Sequence, residues 1–382
     1  MPVHVAMLLE NQPYPRDVRV RSEAEALARA GYDVTVVAPR ARGERRRETV
    51  AGVQVRRFLL PMAGSSKLGF VLEYAVAHLQ LLVGAVRELA AGARLVHLHN
   101  PPDTLFPIAL LARLFGRKAV FDQHDLFPEL LESRFGSSRL LPLARWAQRA
   151  ALRSASIVLV TNESQRELVL ARARLPEERV FVVRNGPPRE TLAAAPPTRE
   201  GALYEPRLVY LGELGPQDGV LALPEILQQP SLARARLTIV GDGACRAELE
   251  RRAASLDGRI RFTGYLPHWE VPGALSEADI GIDPAPATEF NQRSTMTKIA
   301  EYLAAGLPVV AYDLLETRRT AGEAAAYAEP GNTAAFAAEI ARLATDPEYR
   351  ANMAVSARER AEELVWERSE QSLVNAYREL DR

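Results

Sequence analysis

The chain has 382 residues, 48 Lys and Arg against 48 Asp and Glu, 47% hydrophobic and 25% charged residues, and one cysteine, Cys245. That length exceeds a single hydrophobic core, so two domains are expected, and the composition excludes a disordered or fibrous chain. A lone cysteine excludes an internal disulfide and suits a reducing compartment. The start, MPVHVAMLLEN, has no basic n-region, and the apolar stretch 68–84 contains Glu73, His78 and Gln80, too polar for a membrane span. A cytoplasmic location is expected.

The zero net charge hides an asymmetry. Residues 1–186 hold 27 Lys and Arg against 18 Asp and Glu, a surplus of nine; residues 187–382 hold 21 against 30, a deficit of nine. A basic N-terminal half suits an anionic membrane surface at the inner face of the plasma membrane, or a phosphorylated acceptor. It is equally the solvated counterpart of an acidic half. The basic residues do not alternate with aromatics, so nucleic acid is not expected as a partner.

In chain order, residues 3–9, 33–38, 95–98, 118–121 and 157–160 read as strands bounded by Gly, Pro, Asn or Asp. Residues 19–30 have helical apolar spacing and stop at Gly31. Alternating strands and helices predict a parallel sheet with helices on both faces. The pattern restarts after a short strand at 180–183 and the turn Asn185-Gly186-Pro187-Pro188. A loose stretch runs to Pro206, and strands are expected at 207–211, 237–240, 261–262, 280–282 and 308–312. Residues 351–380 read as helix with Trp366 and Tyr377 as packing residues.

Ligands of such sheets bind outside the carboxyl ends of the strands. In the first such loop Arg16, Arg19 and Arg21 crowd a helix start, where cations oppose the dipole; an anionic ligand, or pairing with Asp17, Glu23 and Glu25, resolves this. The third strand runs into His97, His99, Asn100 and Asp103. The two histidines share one side of a strand but lack cysteine partners, so metal is not expected. His99, Asn100 and Asp103 are placed to bond sugar hydroxyls, with His97 structural. The next strand ends in Asp122-Gln123-His124-Asp125, where an imidazole beside two carboxylates can relay a proton, bind a hydroxyl, or be a satisfied loop histidine. Gly212 and Gly215 follow one strand and Gly241 and Gly243 another; neither loop is a complete dinucleotide or Walker motif, and there is no Asp-x-Asp.

Residues 293–318 read as a helix, a Gly-Pro turn, a buried strand and a polar loop. Ser294, Thr295 and Thr297 offer hydroxyls and amides where the helix begins, and Lys298 and Glu301 share a helix face. Only Lys67, Lys118 and Lys298 are lysines, so an ammonium retained at 298 is notable. Two readings stand at this point: an ordinary α/β unit with a polar first turn, or a cradle taking diphosphate on the cation and ribose on the carboxylate.

Taken together, PYPRDVRVRSEAEALARAGYDVTVVAP, LVHLHNPPDTL, VFDQHDLFPELLESRF, VVRNG, YLGELGPQDGV, LTIVGDGA, IRFTGYLP and STMTKIAEYLAAGLPVVAYD resemble retaining glycosyltransferases of family 4, over nearly the whole chain and in order. The likeness is to the bacterial branch that builds capsule, O-antigen and exopolysaccharide repeats. It implies an α/β chain of GT-B fold, two Rossmann-like domains facing a central cleft. Residues 1–186 would form the acceptor domain, 187–365 the nucleotide-sugar domain, and 366–382 a helix returning to the first. It implies a nucleotide-diphosphate sugar donor, UDP-linked, a glycan or lipid-linked acceptor, and no cofactor or metal. Glu301 aligns with the second glutamate of the Glu-x7-Glu motif, which binds ribose. His124 falls near the reacting sugar carbon, and Tyr265 and Leu266 fall where backbone reads the base.

The expected catalytic set is therefore His124, Lys298 and Glu301. Donor contacts are expected from Gly212, Gln217, Asp218, Tyr265, Leu266, Arg293, Ser294, Thr295, Met296, Thr297, Lys298 and Glu301. Acceptor contacts are expected from Arg16, Arg19, His99, Asn100, Asp103 and Asp125. Three departures stand out: Arg293 replaces the first glutamate, Glu213 and Gln217-Asp218 replace the usual Arg and Lys, and PYPRD replaces a Gly-Gly loop. Arg293 and Lys298, with Arg16, are expected to neutralise the diphosphate. A sugar-nucleotide epimerase of the same fold, and a binding subunit without catalysis, remain the alternatives.

Overall fold

The computed structural model describes residues 2–60, 67–135, 140–192, 199, 201–202 and 205–381, and divides into two units. Unit 1 comprises Met1–Val183 and Glu370–Arg382; unit 2 comprises Arg184–Ser369.

Unit 1 is built on an eight-stranded sheet of order β3-β4-β2-β1-β5-β6-β7-β8. The strands are β1 (His4–Leu8), β2 (Asp33–Pro39), β3 (Arg47–Val50), β4 (Val53–Phe58), β5 (Leu95–His99), β6 (Lys118–Gln123), β7 (Ile157–Val160) and β8 (Val180–Val182). All pairs are parallel except the β3–β4 hairpin at the edge. Residues two apart share a face, so Leu8, Val96, Leu98, Phe121, Val158 and Val160 form one core layer with Ile108, Ala112 and Leu152 from the helices over it. The other face of β5 and β6 carries a polar row instead: His99 stands level with Asp122, and His97 with Val120.

Unit 2 has a six-stranded, fully parallel sheet of order β11-β10-β9-β12-β13-β14. Its strands are β9 (Arg207–Leu211), β10 (Arg236–Val240), β11 (Ile260–Gly264), β12 (Ile280–Asp283), β13 (Val309–Tyr312) and β14 (Ala325–Ala328). Alternation again splits the core. Leu208, Tyr210, Val310 and Tyr312 face one cluster with Phe336 and Ile340; Val209, Val309 and Ala311 face another with Ile299, Tyr302 and Leu303. Helices therefore cover both faces, which is why the central strands β9, β12 and β13 read as apolar runs.

Three strands escape a reading of the sequence. β3 is exposed and charged, β4 hides its Val53–Val55 alternation beside two arginines, and the Ala-rich β14 has helical propensity. The stretch 351–380, read as helix, lies in two helices, Pro347–Leu364 and Trp366–Asp381. Val365 is extended between them, and the Trp366 amide donates to the Pro187 carbonyl at 2.9 Å. Gly186 serves this junction through close approach, since an added Cβ would lie 1.8 Å from the Leu364 carbonyl oxygen. Part of the loose stretch expected before Pro206 lies outside the described residues. No helix among the described residues is long and apolar enough to cross a membrane.

Candidate functional site

In unit 2 the loops after β9, β10 and β11 meet backbone to backbone. Gly212 N–H donates to Val240 O and Gly241 N–H to Gly264 O, both at 2.9 Å. A Cβ on Gly241 would lie 1.9 Å from Gly212 O, and one on Gly243 2.7 Å from Leu214 N. Glycine is needed here for closeness, and also because Gly212 and Gly241 have φ of 142° and 140°. Tyr265 follows Gly264, 81% exposed, while Leu266 packs on the cluster of Val209, Val309 and Ala311.

Against these loops stands the helix Thr297–Ala304. Its Tyr302 hydroxyl accepts from Leu211 N–H at 2.7 Å and donates to Ile282 O at 3.2 Å. Gly281 leaves room for that ring, 2.5 Å from where a Cβ would sit. Met296 precedes the helix without a side-chain cap and packs into both core clusters; Thr297 is exposed. Arg293, Ser294 and Thr295 are half-buried, and the Ser294 hydroxyl donates to Phe290 O at 2.7 Å.

Lys298 was expected to face a diphosphate; the structure instead encloses it. Its ammonium is 3.3 Å from Asp218 Oδ1, Asp283 Oδ1 and the Tyr210 hydroxyl, and 4.8 Å above the Tyr210 ring. Burial opposes the charge, but Asp283, Tyr210 and Asp218 outweigh it and hold the pKa well above the usual lysine value. The Asp218 carboxyl is pushed up by burial, against the pull of Lys298. Asp218 Oδ2, Asp283 Oδ2 and Gln217 Oε1 are buried without hydrogen-bond partners among the described residues. The Gln217 carbonyl accepts from Asn291 Nδ2 at 2.8 Å, which ties this loop to the segment before the helix.

Glu301, one turn beyond Lys298, is half-buried, and its carboxylate takes no hydrogen bond among the described residues. Burial raises its pKa and His268 lowers it. Tyr210, Asp283, Tyr302 and Asn291 were missed in the sequence. Asp283 had one signal, a carboxylate closing an apolar strand at the ligand end.

In unit 1 the hub is Asp122. Arg19 grips it with Nε at 2.8 Å and Nη2 at 2.6 Å, and donates Nη1 to Val183 O at 2.8 Å. His99 Nδ1 and His124 Nδ1 each lie 3.1 Å from Asp122 Oδ2. Asn100 fixes the loop: Nδ2 donates to Asp103 Oδ1 and Asp125 O, while Oδ1 accepts from the His124 and Asp125 amides. Arg19, His99, Asn100 and Asp103, expected to touch an acceptor, are buried and corrected to a scaffold behind His124. His124 and Asp125 are half-buried, and Arg16 is exposed with no side-chain bond among the described residues.

Burial would lower the His124 pKa, but Asp122 raises it to about 9, so the ring is an imidazolium near neutrality. Burial lowers His97 and His99, which stay neutral, and raises Glu23 to about 8 against Arg19. The metal-type ligand atoms of Glu23, His97, His99 and Asp122 lie within 4.8 Å of one another. The sequence showed too few ligands because Glu23 and Asp122 come from distant elements. Arg19 already supplies a cation here, 2.6 Å from Asp122 and 3.1 Å from Glu23.

A glycosyl transferase 4-like domain matches residues 17–186, and a glycosyl transferases group 1 domain matches residues 205–346. The chain is 28% identical over 289 residues to an alpha-D-kanosaminyltransferase of Streptomyces kanamyceticus, covering 70% of this chain and 72% of that one. Among solved structures, sucrose-phosphate synthase from Thermosynechococcus elongatus superposes with a TM-score of 0.76 at 20% identity, covering 99% of both chains. Anabaena HepE, in complex with UDP and glucose, superposes with a TM-score of 0.72 at 17% identity, covering 99% of this chain and 100% of that one. With both family domains in order on two parallel-sheet Rossmann-like units, the chain belongs to the group 1 glycosyltransferases of GT-B fold, in family 4.

Proposed function

We propose that the chain is a retaining, metal-independent glycosyltransferase. It moves a sugar from a UDP-linked donor to a glycan or lipid-linked acceptor in surface polysaccharide biosynthesis. The observation that carries this reading is Glu301, a half-buried carboxylate at the ligand end of the unit 2 sheet without a hydrogen-bond donor. Its oxygens are not sealed from solvent, so ribose hydroxyls can reach them and form charge-assisted hydrogen bonds. The helix start and Arg293 take the diphosphate, and the backbone at Tyr265 and Leu266 takes the base. Lys298 keeps the Gly212 loop, β12 and the helix start in one geometry while remaining charged beside the leaving group. UDP is chosen because HepE, alike in fold, binds it.

Unit 1 offers Arg16, His124 and Asp125 to the acceptor. An imidazolium donates rather than accepts a proton, so His124 orients a hydroxyl and stabilises charge. The surplus of nine positive charges supports a peripheral contact with anionic lipid at the inner face of the plasma membrane, and hence a cytoplasmic location. In the retaining step the acceptor oxygen bonds the sugar carbon on the face from which the diphosphate departs. The carbon–oxygen bond to phosphate breaks, and the acceptor proton passes to the leaving phosphate oxygen.

The test begins with thermal-shift titration of the full chain against nucleotide sugars, where binding raises Tm. Glu301→Ala should weaken donor binding about tenfold, the loss of one charge-assisted contact. Lys298→Ala should lower kcat by roughly 100-fold or more. Full turnover by both variants refutes the site, and no shift with any nucleotide sugar refutes the donor reading. The anomeric configuration of the product, read by NMR, decides retention.

A further inference from the structure

The unit 2 sheet has a second charged feature, at the end opposite Gly212, Gly241 and Gly264. Arg207 and Arg236 stand directly across from each other at the starts of β9 and β10. Leu237 is level with Ile260, which brings Arg259 beside the same rung, and Arg261 stands opposite Thr238. These four arginines and Glu277 line a cavity of about 690 Å³, with Leu208, Leu237 and Ile260 among its apolar residues.

Like charges facing each other on adjacent strands destabilise a sheet. Part of this repulsion is answered inside the protein. Arg207 pairs with Asp279 at 2.9 Å, Arg261 pairs with Glu277 at 3.0 Å, and Arg259 donates to Leu232 O at 2.9 Å. The exposed Arg236 guanidinium makes no hydrogen bond or ion pair among the described residues. The surrounding half of the chain carries nine excess negative charges, so four arginines in one cavity run against the background.

We propose that this groove binds a phosphate-bearing small molecule, at a site separate from the donor position. A guanidinium fork matches phosphate oxygens two at a time, and the volume is that of a small-molecule site. Arg236 supplies the uncommitted fork, Arg259 stands beside it, and Arg207 and Arg261 are held as a rim by their carboxylates. Half-buried Ala274 and the aliphatic stems of the arginines would receive the non-phosphate body of an ester.

The test is calorimetric titration of the full chain with inorganic pyrophosphate. Arg236→Ala removes an exposed side chain without partners, so folding should be unaffected. It should weaken one binding component about tenfold. That component should persist in Arg293→Ala and fade as salt is raised. Absence of pyrophosphate binding in the wild type overturns the proposal. So does an isotherm unchanged by Arg236→Ala, including one abolished only by Arg293→Ala, which would place all binding at the donor position. Parallel titrations with inorganic phosphate and glucose 6-phosphate distinguish a free anion from an ester: tighter binding of the ester supports occupation of the apolar part, and equal binding supports the phosphate contacts alone. Because donor binding is scored on Glu301→Ala, failure here leaves the transferase reading standing.

Discussion

Single residues in this protein are defined by what holds them. His124 was legible as a titratable group at a strand end, but its charge state was not. Asp122 Oδ2 faces Arg19 Nε, His99 Nδ1 and His124 Nδ1 together, and this crowding of donors keeps its pKa well below the usual range although burial opposes it. His124 is raised to about 9 by that carboxylate, against burial. A raised pKa means that the folded state binds the proton more tightly. Its contribution is therefore full below the unfolded value of about 6.5 and lost as pH rises through the folded value. Glu23, raised to about 8 by burial, has the same sign. Glu23 loses its share between about pH 4.5 and 8 and His124 between about pH 6.5 and 9, so stability should fall between about pH 6.5 and 9, by about 1.4 kcal/mol per pH unit for each extra proton held, with both groups acting up to about pH 8. Tm measured across this range should decline, and His124→Gln should make the decline shallower. A flat or rising Tm in the wild type would contradict the Asp122–His124 pair. Lys298 teaches the same lesson: its rarity was visible in the sequence, whereas its enclosure by Asp218 and Asp283 was not.

At the scale of elements, the apolar runs were readable because a strand covered on both faces leaves a continuous hydrophobic signature. The carboxyl ends of β9, β10 and β11 were likewise marked by glycine. Why those glycines are needed was not visible, since the obstacle at Gly241 is the carbonyl of Gly212, brought in from the neighbouring strand. Gly241→Ala should cost about 1–3 kcal/mol, as an overpacked site does, and should also weaken nucleotide-sugar binding. Gly273 is the contrast. It lies inside the helix Val271–Ser276 with nothing within 4 Å of an added Cβ, so Gly273→Ala should stabilise by about 0.5–1 kcal/mol. Urea unfolding of both variants measures the difference; equal effects would show that backbone approach is not what restricts Gly241. β14 was missed because alanine favours a helix locally, and local periodicity carries no mark of the break at Val365 because the hydrogen bond from Trp366 to Pro187 is long-range.

For the whole molecule, chain order and spatial membership differ at the C-terminus. Glu370–Arg382 belongs to unit 1, where Leu373, Ala376 and Tyr377 are fully buried. Tyr377 bonds His97 Nδ1 at 2.7 Å, and Lys118 donates to the Leu380 carbonyl. Deleting residues 370–382 strips a buried tyrosine and its neighbours from that core, a loss of several kcal/mol by analogy with large-to-small core substitutions, typically about 3–5 kcal/mol for one aromatic. Unit 1 should then melt at lower temperature and be digested first in limited proteolysis, with unit 2 fragments persisting. Equal resistance of both units to protease would show that the terminal helix is dispensable to unit 1.

The sequence by itself determined two α/β units, the carboxyl ends of their strands, and a helix start carrying Lys298 and Glu301. Local periodicity and turn chemistry suffice for each. Only the tertiary structure decided which charges meet. Arg19 reaches Asp122 across 103 positions and Lys298 reaches Asp218 across 80, because strand order in a parallel sheet, rather than spacing along the chain, sets which loops become neighbours.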